Sequence, residues 1–180
     1  MDNFSVLIGG KAGFGIDKSG LILGRILNQL SYRVYIYRDY PSIIRGGHTF
    51  SIIRSSKERI AAHHDQVDFI LALNQDTFNF HKNRLKDNSI IIYDSESVKL
   101  EGLPNSIKSI GIPIGKIIKE ENASEIMRNT CIIGAFCKVI GVRLNVLDMA
   151  LKKETGREIE ASLKVAHRGY DIPEELVKIE

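Results

Sequence analysis

Cysteine is nearly missing from this chain: of 180 residues only Cys131 and Cys137 carry a thiol. An iron–sulfur cluster is held by four such ligands, so two cysteines cannot supply one. They lie in a run that reads as helix, and six steps of about 100° put them roughly 240° apart around its axis. Facing different directions, they can neither share a metal nor pair with each other from that helix. Long apolar runs are lacking too, with nothing near the roughly 20 residues of a membrane span. The opening "MDNFSVLIGG" has neither the basic start nor the long apolar core of a secretory signal, so the chain is expected in the cytoplasm. Nor is there an excess of charge: a net +3 is too mild to indicate nucleic-acid binding. Finally, no H-E-x-x-H, G-x-S-x-G or Ser-His-Asp order is present to support hydrolysis.

What is present suits a single domain over residues 1–180, with 43% hydrophobic and 26% charged residues as in an ordinary globule. Short apolar or β-branched runs predict strands at Phe4–Ile8, Arg33–Arg38, "TFSIIRSS", Val67–Leu73, Ile90–Tyr93 and near "SIKSIGIPI". A helical stripe covers Ile16–Leu30, and Asn74 caps a short helix in "NQDTFNFHKNRL". From Ala123 onward the pattern is helical. Asn122 with Glu125, and Thr155 with Glu158, have the spacing of a cap and its acid, and Asn145 opens "NVLDMALKKE". Strands that read as continuous apolar runs between helices predict an α/β fold. The expected form is a three-layer Rossmann-like domain, with a mostly parallel central sheet and helices gathered toward the C-terminus.

The stretch "IGGKAGFGIDKSG" follows the first strand and opens the first helix. Strand, glycine turn and helix can aim backbone amides and a helix N-terminus at a phosphate. The spacing fits neither standard fingerprint. From Gly13, Lys18 stands where G-x-G-x-x-G needs its third glycine, and Ala12 and Asp17 occupy the glycine positions of the P-loop frame. Asp39 nevertheless ends the second strand about where a ribose-binding acid would stand. Two readings stay open: a nucleotide, flavin or similar ligand at Gly9, Gly10, Gly13 and Gly15, or a tight turn that lets other backbone approach.

A second constellation, "RDYPSIIRGGHTFSIIR", follows the second strand and is expected at the same sheet edge. Pro41 and Gly46–Gly47 shape its backbone, while Arg45 lies between them and Arg38, His48 and Arg54 lie around them. A forked cation there suits a carboxylate, a phosphate or a salt bridge to a neighbouring subunit. The competing reading is a solvated loop. His63 and His64, as neighbours in an extended chain, point to opposite faces and make a poor metal site with Asp65. His81 and His167 are expected on helix surfaces.

Together "GGKAGFGIDKSGLILGRIL", "YRVYIYRDYPSIIRGGHTFSIIRSS", "VDFILALNQDTFNFH" and "SIIIYDS" resemble the gamma subunit, or gamma domain, of 2-oxoacid:ferredoxin oxidoreductases. The likeness is nearer to the 2-oxoglutarate and branched-chain 2-oxoacid branch than to the indolepyruvate branch. It implies an assembled enzyme that decarboxylates a 2-oxoacid, reduces ferredoxin and forms an acyl-coenzyme A. Thiamine diphosphate, Mg2+ and [4Fe-4S] clusters would sit on alpha and beta subunits, and in some complexes on a ferredoxin-like delta subunit. This chain would contribute assembly contacts and, as in some members, coenzyme A contacts, and could self-associate when isolated. By resemblance, Gly9, Gly10, Gly13 and Gly15 match the family's glycine turn. Tyr40, Pro41, Ser42, Arg45, Gly46, Gly47 and His48 match its second loop, as subunit interface or ligand loop. The other function class left open is a stand-alone nucleotide- or flavin-binding module.

Overall fold

A computed structural model describes residues 1–39, 47–154 and 158–179. Its strands are β1 (Asn3–Lys11), β2 (Arg33–Asp39), β3 (His48–Ser56), β4 (Val67–Ala72), β5 (Leu85–Asp94) and β6 (Lys108–Ile112). Its helices are α1 (Ile16–Gln29), α2 (Gln75–His81), α3 (Ile114–Glu120), α4 (Arg128–Val139), α5 (Leu144–Glu154) and α6 (Ile159–Tyr170). The strands form one sheet in the order β2-β3-β1-β4-β5-β6.

The apolar runs are the central strands. Val6, Leu7 and Ile8 of β1 and Ile91 and Ile92 of β5 are all buried, because both faces of the sheet are covered. Alternate side chains feed two cores. Val6, Ile8, Phe69, Leu71 and Ile92 pack beneath α1 and the C-terminal helices. Leu7, Ile52, Ile70 and Ile91 face the other way, against Phe78 of α2 and Val98 of an irregular segment. The three layers exist but are unequal. One is a bank of helices, and the other is a seven-residue helix with loops.

The mostly parallel sheet is as expected, with one reversal. β1, β4, β5 and β6 pair in parallel, whereas β3 is antiparallel to both β1 and β2. The reason is chain length. Residues 40–47 join β2 to β3, and a parallel crossover takes a dozen or more. β3 therefore folds back and inserts between β2 and β1. Asp39 ends β2 two strands away from β1, outside the neighbouring position from which a ribose-binding acid would act.

One local expectation is corrected. α3 was not expected from the sequence, and it changes the meaning of Asn122. Asn122 has φ 49°, and the Ala123 amide bonds the Ile118 carbonyl, so Asn122 closes α3 in the left-handed conformation and does not cap a later helix. Glu125 instead pairs with Arg128 at the start of α4. Thr155, the other expected cap, lies outside the described residues.

α4 is buried almost all round, as its sequence suggests, and α6 crosses it closely enough for backbone contact. A Cβ on Gly169 would collide with the Cys131 carbonyl, and one on Gly134 with the Ala166 carbonyl. Gly169→Ala should therefore destabilise the fold by about 1–3 kcal/mol, read as a lower urea midpoint. An unchanged midpoint would contradict the close crossing.

Candidate functional site

The edge where β1 and β4 end and β3 begins gathers the polar groups. β1 runs through Gly9 and Gly10 to Lys11, so these two glycines belong to the strand and not to the turn. Of the four glycines, Gly13 and Gly15 alone take positive φ, 98° and 69°, and Gly15 stands at the N-terminus of α1. Its carbonyl accepts from Asn129 Nδ2 of α4 at 3.2 Å. The turn is further held by the Phe14 amide on the Lys11 carbonyl.

Gly9 is required by what sits on it. A Cβ there would lie 2.7 Å from Thr77 Cγ2 and 3.0 Å from His48 Cε1. Thr77 is itself fixed: Asn74 caps α2 by accepting from the Thr77 amide at 3.1 Å and from its hydroxyl at 2.6 Å. The Leu73 amide bonds the Gly9 carbonyl, and the Ala12 amide bonds the Gly47 carbonyl at 2.9 Å. The glycine turn and the end of the second loop are thus brought into direct contact at one sheet edge. Of that loop Gly47 and His48 are seen, while Tyr40, Pro41, Ser42, Arg45 and Gly46 lie outside the described residues.

His81, expected on a helix surface, is buried at 4% exposure. Its Nε2 lies 2.9 Å from His48 Nε2, so one imidazole donates and the other accepts. The rings of Phe50 and Phe80 pack around the pair. Burial, then the neighbouring His48 and Arg84, lower the His81 pKa to about 4. Burial also lowers that of His48, against the opposing pull of Asp76, Asp39 and a Gly10 backbone hydrogen bond. The signal in the sequence was positional: His81 follows the buried Thr77 and Phe78 by four and three residues, on the same face of α2. Elsewhere, His167 is partly exposed and bonds Asp148 at 2.7 Å, while His63 stacks on Tyr37. Among the described residues no group of three or more His, Cys, Asp or Glu is placed to hold a metal ion.

Beside this edge opens a cleft of about 410 Å³, lined by residues that include Lys11, Phe14, Asn74, Asp76, Glu125 and Arg128. Arg128 is anchored from below by Asp94, a fully buried carboxylate at the end of β5, at 2.8 Å. Asp94 also accepts from Ser97 Oγ at 2.9 Å and the Glu96 amide at 3.1 Å. Burial alone would lower the Arg128 pKa. Hydrogen bonding to Glu125, with the charges of Asp94 and Glu96, outweighs burial and raises it. The guanidinium stays charged, and Lys11 adds a second basic side chain to the cleft lining. Such a site can hold an anionic group against a polar wall. The thiols take no part: burial pushes Cys131 up to about 12 and raises Cys137 as well, so both stay protonated inside α4.

The family model described as "Pyruvate ferredoxin/flavodoxin oxidoreductase" matches residues 5–172. Among curated relatives, the 2-oxoacid:ferredoxin oxidoreductase subunit alpha of Saccharolobus solfataricus is 27% identical over 91% of this chain, which spans only 26% of that relative. Among solved structures, the 2-oxoglutarate:ferredoxin oxidoreductase of Magnetococcus marinus, with 2-oxoglutarate, coenzyme A and succinyl-CoA bound, superposes with TM-score 0.85. It is 20% identical and covers 100% of this chain and 33% of that one. The keto/oxoacid ferredoxin oxidoreductase gamma subunit of Geobacter sulfurreducens gives TM-score 0.80 at 21% identity, covering 93% of this chain and 96% of that one. These likenesses fix the fold. No helix among the described residues is long and apolar enough to cross a membrane.

The histidine pair makes a pH prediction. Unfolded histidines take up protons near pH 6.5, which the buried pair refuses. Its contribution is therefore complete above that pH and lost as pH falls toward 4, by up to about 1.4 kcal/mol per pH unit for each histidine. Urea unfolding across this range should show the loss, and His81→Gln should flatten it. Identical slopes in the two proteins would refute the assignment.

Proposed function

The chain belongs to the pyruvate ferredoxin/flavodoxin oxidoreductase family, and from that premise we propose that it is the gamma component of a 2-oxoacid:ferredoxin oxidoreductase. In this reading it supplies a docking edge and part of the coenzyme A site, while the reacting cofactors sit on partner subunits. The observation that carries it is the meeting of the two loops at the Ala12–Gly47 contact, beside a cleft lined by Lys11 and Arg128. The thiols point the same way: two protonated cysteines buried in one helix are no cluster ligands.

Coenzyme A carries a pyrophosphate and a 3′-phosphate, and cations suit both. Lys11, at the exposed end of β1, meets a phosphate as a mobile point charge. Arg128, fixed by Asp94 and Glu125, presents a guanidinium that cannot swing away. Asp76 also lines the cleft, and its carboxylate discourages an anion from binding indiscriminately there. An open cleft of about 410 Å³ takes part of a molecule of this size, leaving the remainder to a partner surface. Thiamine diphosphate held on the alpha and beta subunits would supply the decarboxylation chemistry, and iron–sulfur clusters there would supply the path for electrons to ferredoxin. This chain's residues hold the phosphate groups of the acyl acceptor.

Reconstitution tests the reading. Alone, the chain should not reduce ferredoxin with any 2-oxoacid and coenzyme A. Purified with its alpha and beta partners, it should complete an active complex. Lys11→Ala should then raise the KM for coenzyme A roughly tenfold, the scale of one charged hydrogen bond. The KM for the 2-oxoacid should stay unchanged. Turnover by the isolated chain, or a Lys11 effect on the 2-oxoacid alone, would overturn the assignment.

A further inference from the structure

We propose that β2 is a self-complementary sheet edge through which two copies of this chain pair, antiparallel, into one continuous sheet. β2 is the terminal strand, and among the described residues it pairs only with β3. Its register with β3 is unbroken from Arg33↔Ser56 to Asp39↔Phe50, with no bulge. The sequence "RVYIYRD" contains neither proline nor lysine, and its two ends, Arg33 and Asp39, carry opposite charges, which repel a strand of one sign but match a reversed copy of the same strand. Seven residues of regular, β-branched and aromatic edge offer unpaired backbone groups to a partner strand.

The partner is a second copy because the strand complements itself. Centred on Ile36, a two-fold antiparallel pairing sets Arg33 opposite Asp39 of the other copy, twice over, and Tyr35 opposite Tyr37. These residues share one face. Val34 and Ile36 pack under Gly24 of α1, so Arg33, Tyr35, Tyr37 and Asp39 alternate to the opposite side, where Tyr37 meets Phe50. Arg33 and Asp39 are exposed, and Tyr35 is 37% exposed. A one-residue slip would place opposed partners on opposite faces, so charge and pleat select the same register.

The helix above the edge agrees. Gly20 and Gly24 of α1 contact β2 and β3, while Ile22 and Ile26 turn inward on the far side of the helix. Leu21, one step of about 100° beyond Gly20, therefore lies on the flank over the free edge and is 38% exposed. Pairing β2 with its copy brings the two α1 flanks together across the dyad and covers Leu21.

The full chain, studied by sedimentation equilibrium, should show a reversible monomer–dimer equilibrium. Arg33→Asp and Asp39→Arg each place like charges opposite each other at both ends. Each should weaken dimerisation roughly tenfold. The double variant exchanges the partners and should restore it. Mixing the two single variants should give a heterodimer, since every Asp then faces an Arg. Three surface variants with unchanged melting temperatures exclude misfolding. A wild-type chain that stays monomeric at its highest soluble concentration would overturn the proposal. So would a dimer indifferent to the charge exchanges, or single variants that fail to complement each other.

Discussion

The site depends on one close approach: α2 and the first residue of β3 lie directly on the backbone of Gly9. A side chain at that position would meet Thr77 and His48. With hydrogen there, the Thr77–Asn74 cap, the His48–His81 bond and the Gly47 carbonyl all come within reach of one strand end. The glycine-rich stretch is thus a place where neighbouring elements rest directly on strand backbone. It lacks the spacing of a dinucleotide loop, and β3 displaces β2 from the position a dinucleotide fold would need.

From that approach the rest follows in order. The short link from β2 to β3 reverses β3, and the reversal lands His48 beside Lys11 in the β1–β3 register. The same sheet edge carries the end of β4, whose Asn74 opens α2, and the end of β5, whose Asp94 holds Arg128. Removing Arg128 would strand a fully buried carboxylate, which typically costs several kcal/mol. The cation that faces the cleft is therefore also part of what keeps the edge folded, so stability and ligand chemistry are tied at this residue.

Much of this was legible because buried parallel strands leave a direct mark. "FSVLI", "VDFILAL" and "IIIY" are apolar at nearly every step, broken only by Ser5 and Asp68, and all three are interior strands. The cap at Asn74 was legible for the same kind of reason, a local rule with a local cause. The missed features are non-local or ambiguous. Asn122 suits either end of a helix, and only recognition of α3 before it decides which. His81 looks like a surface residue until β3 is reversed, because its partner is a histidine 33 positions earlier. The direction of β3 was present in the sequence as a count, eight residues where a crossover needs more, and not as a motif.

Hydrogen exchange on Gly9→Ala addresses the central claim most directly. A methyl group at this position should push Thr77 and His48 off β1, so amides of residues 47–50 and 74–81 should exchange faster. Those of β5 and β6, held by a separate parallel pairing, should keep their protection. Unchanged exchange at 47–50 and 74–81 would show that the two loops do not rest on Gly9, and the account of the site would fail with it.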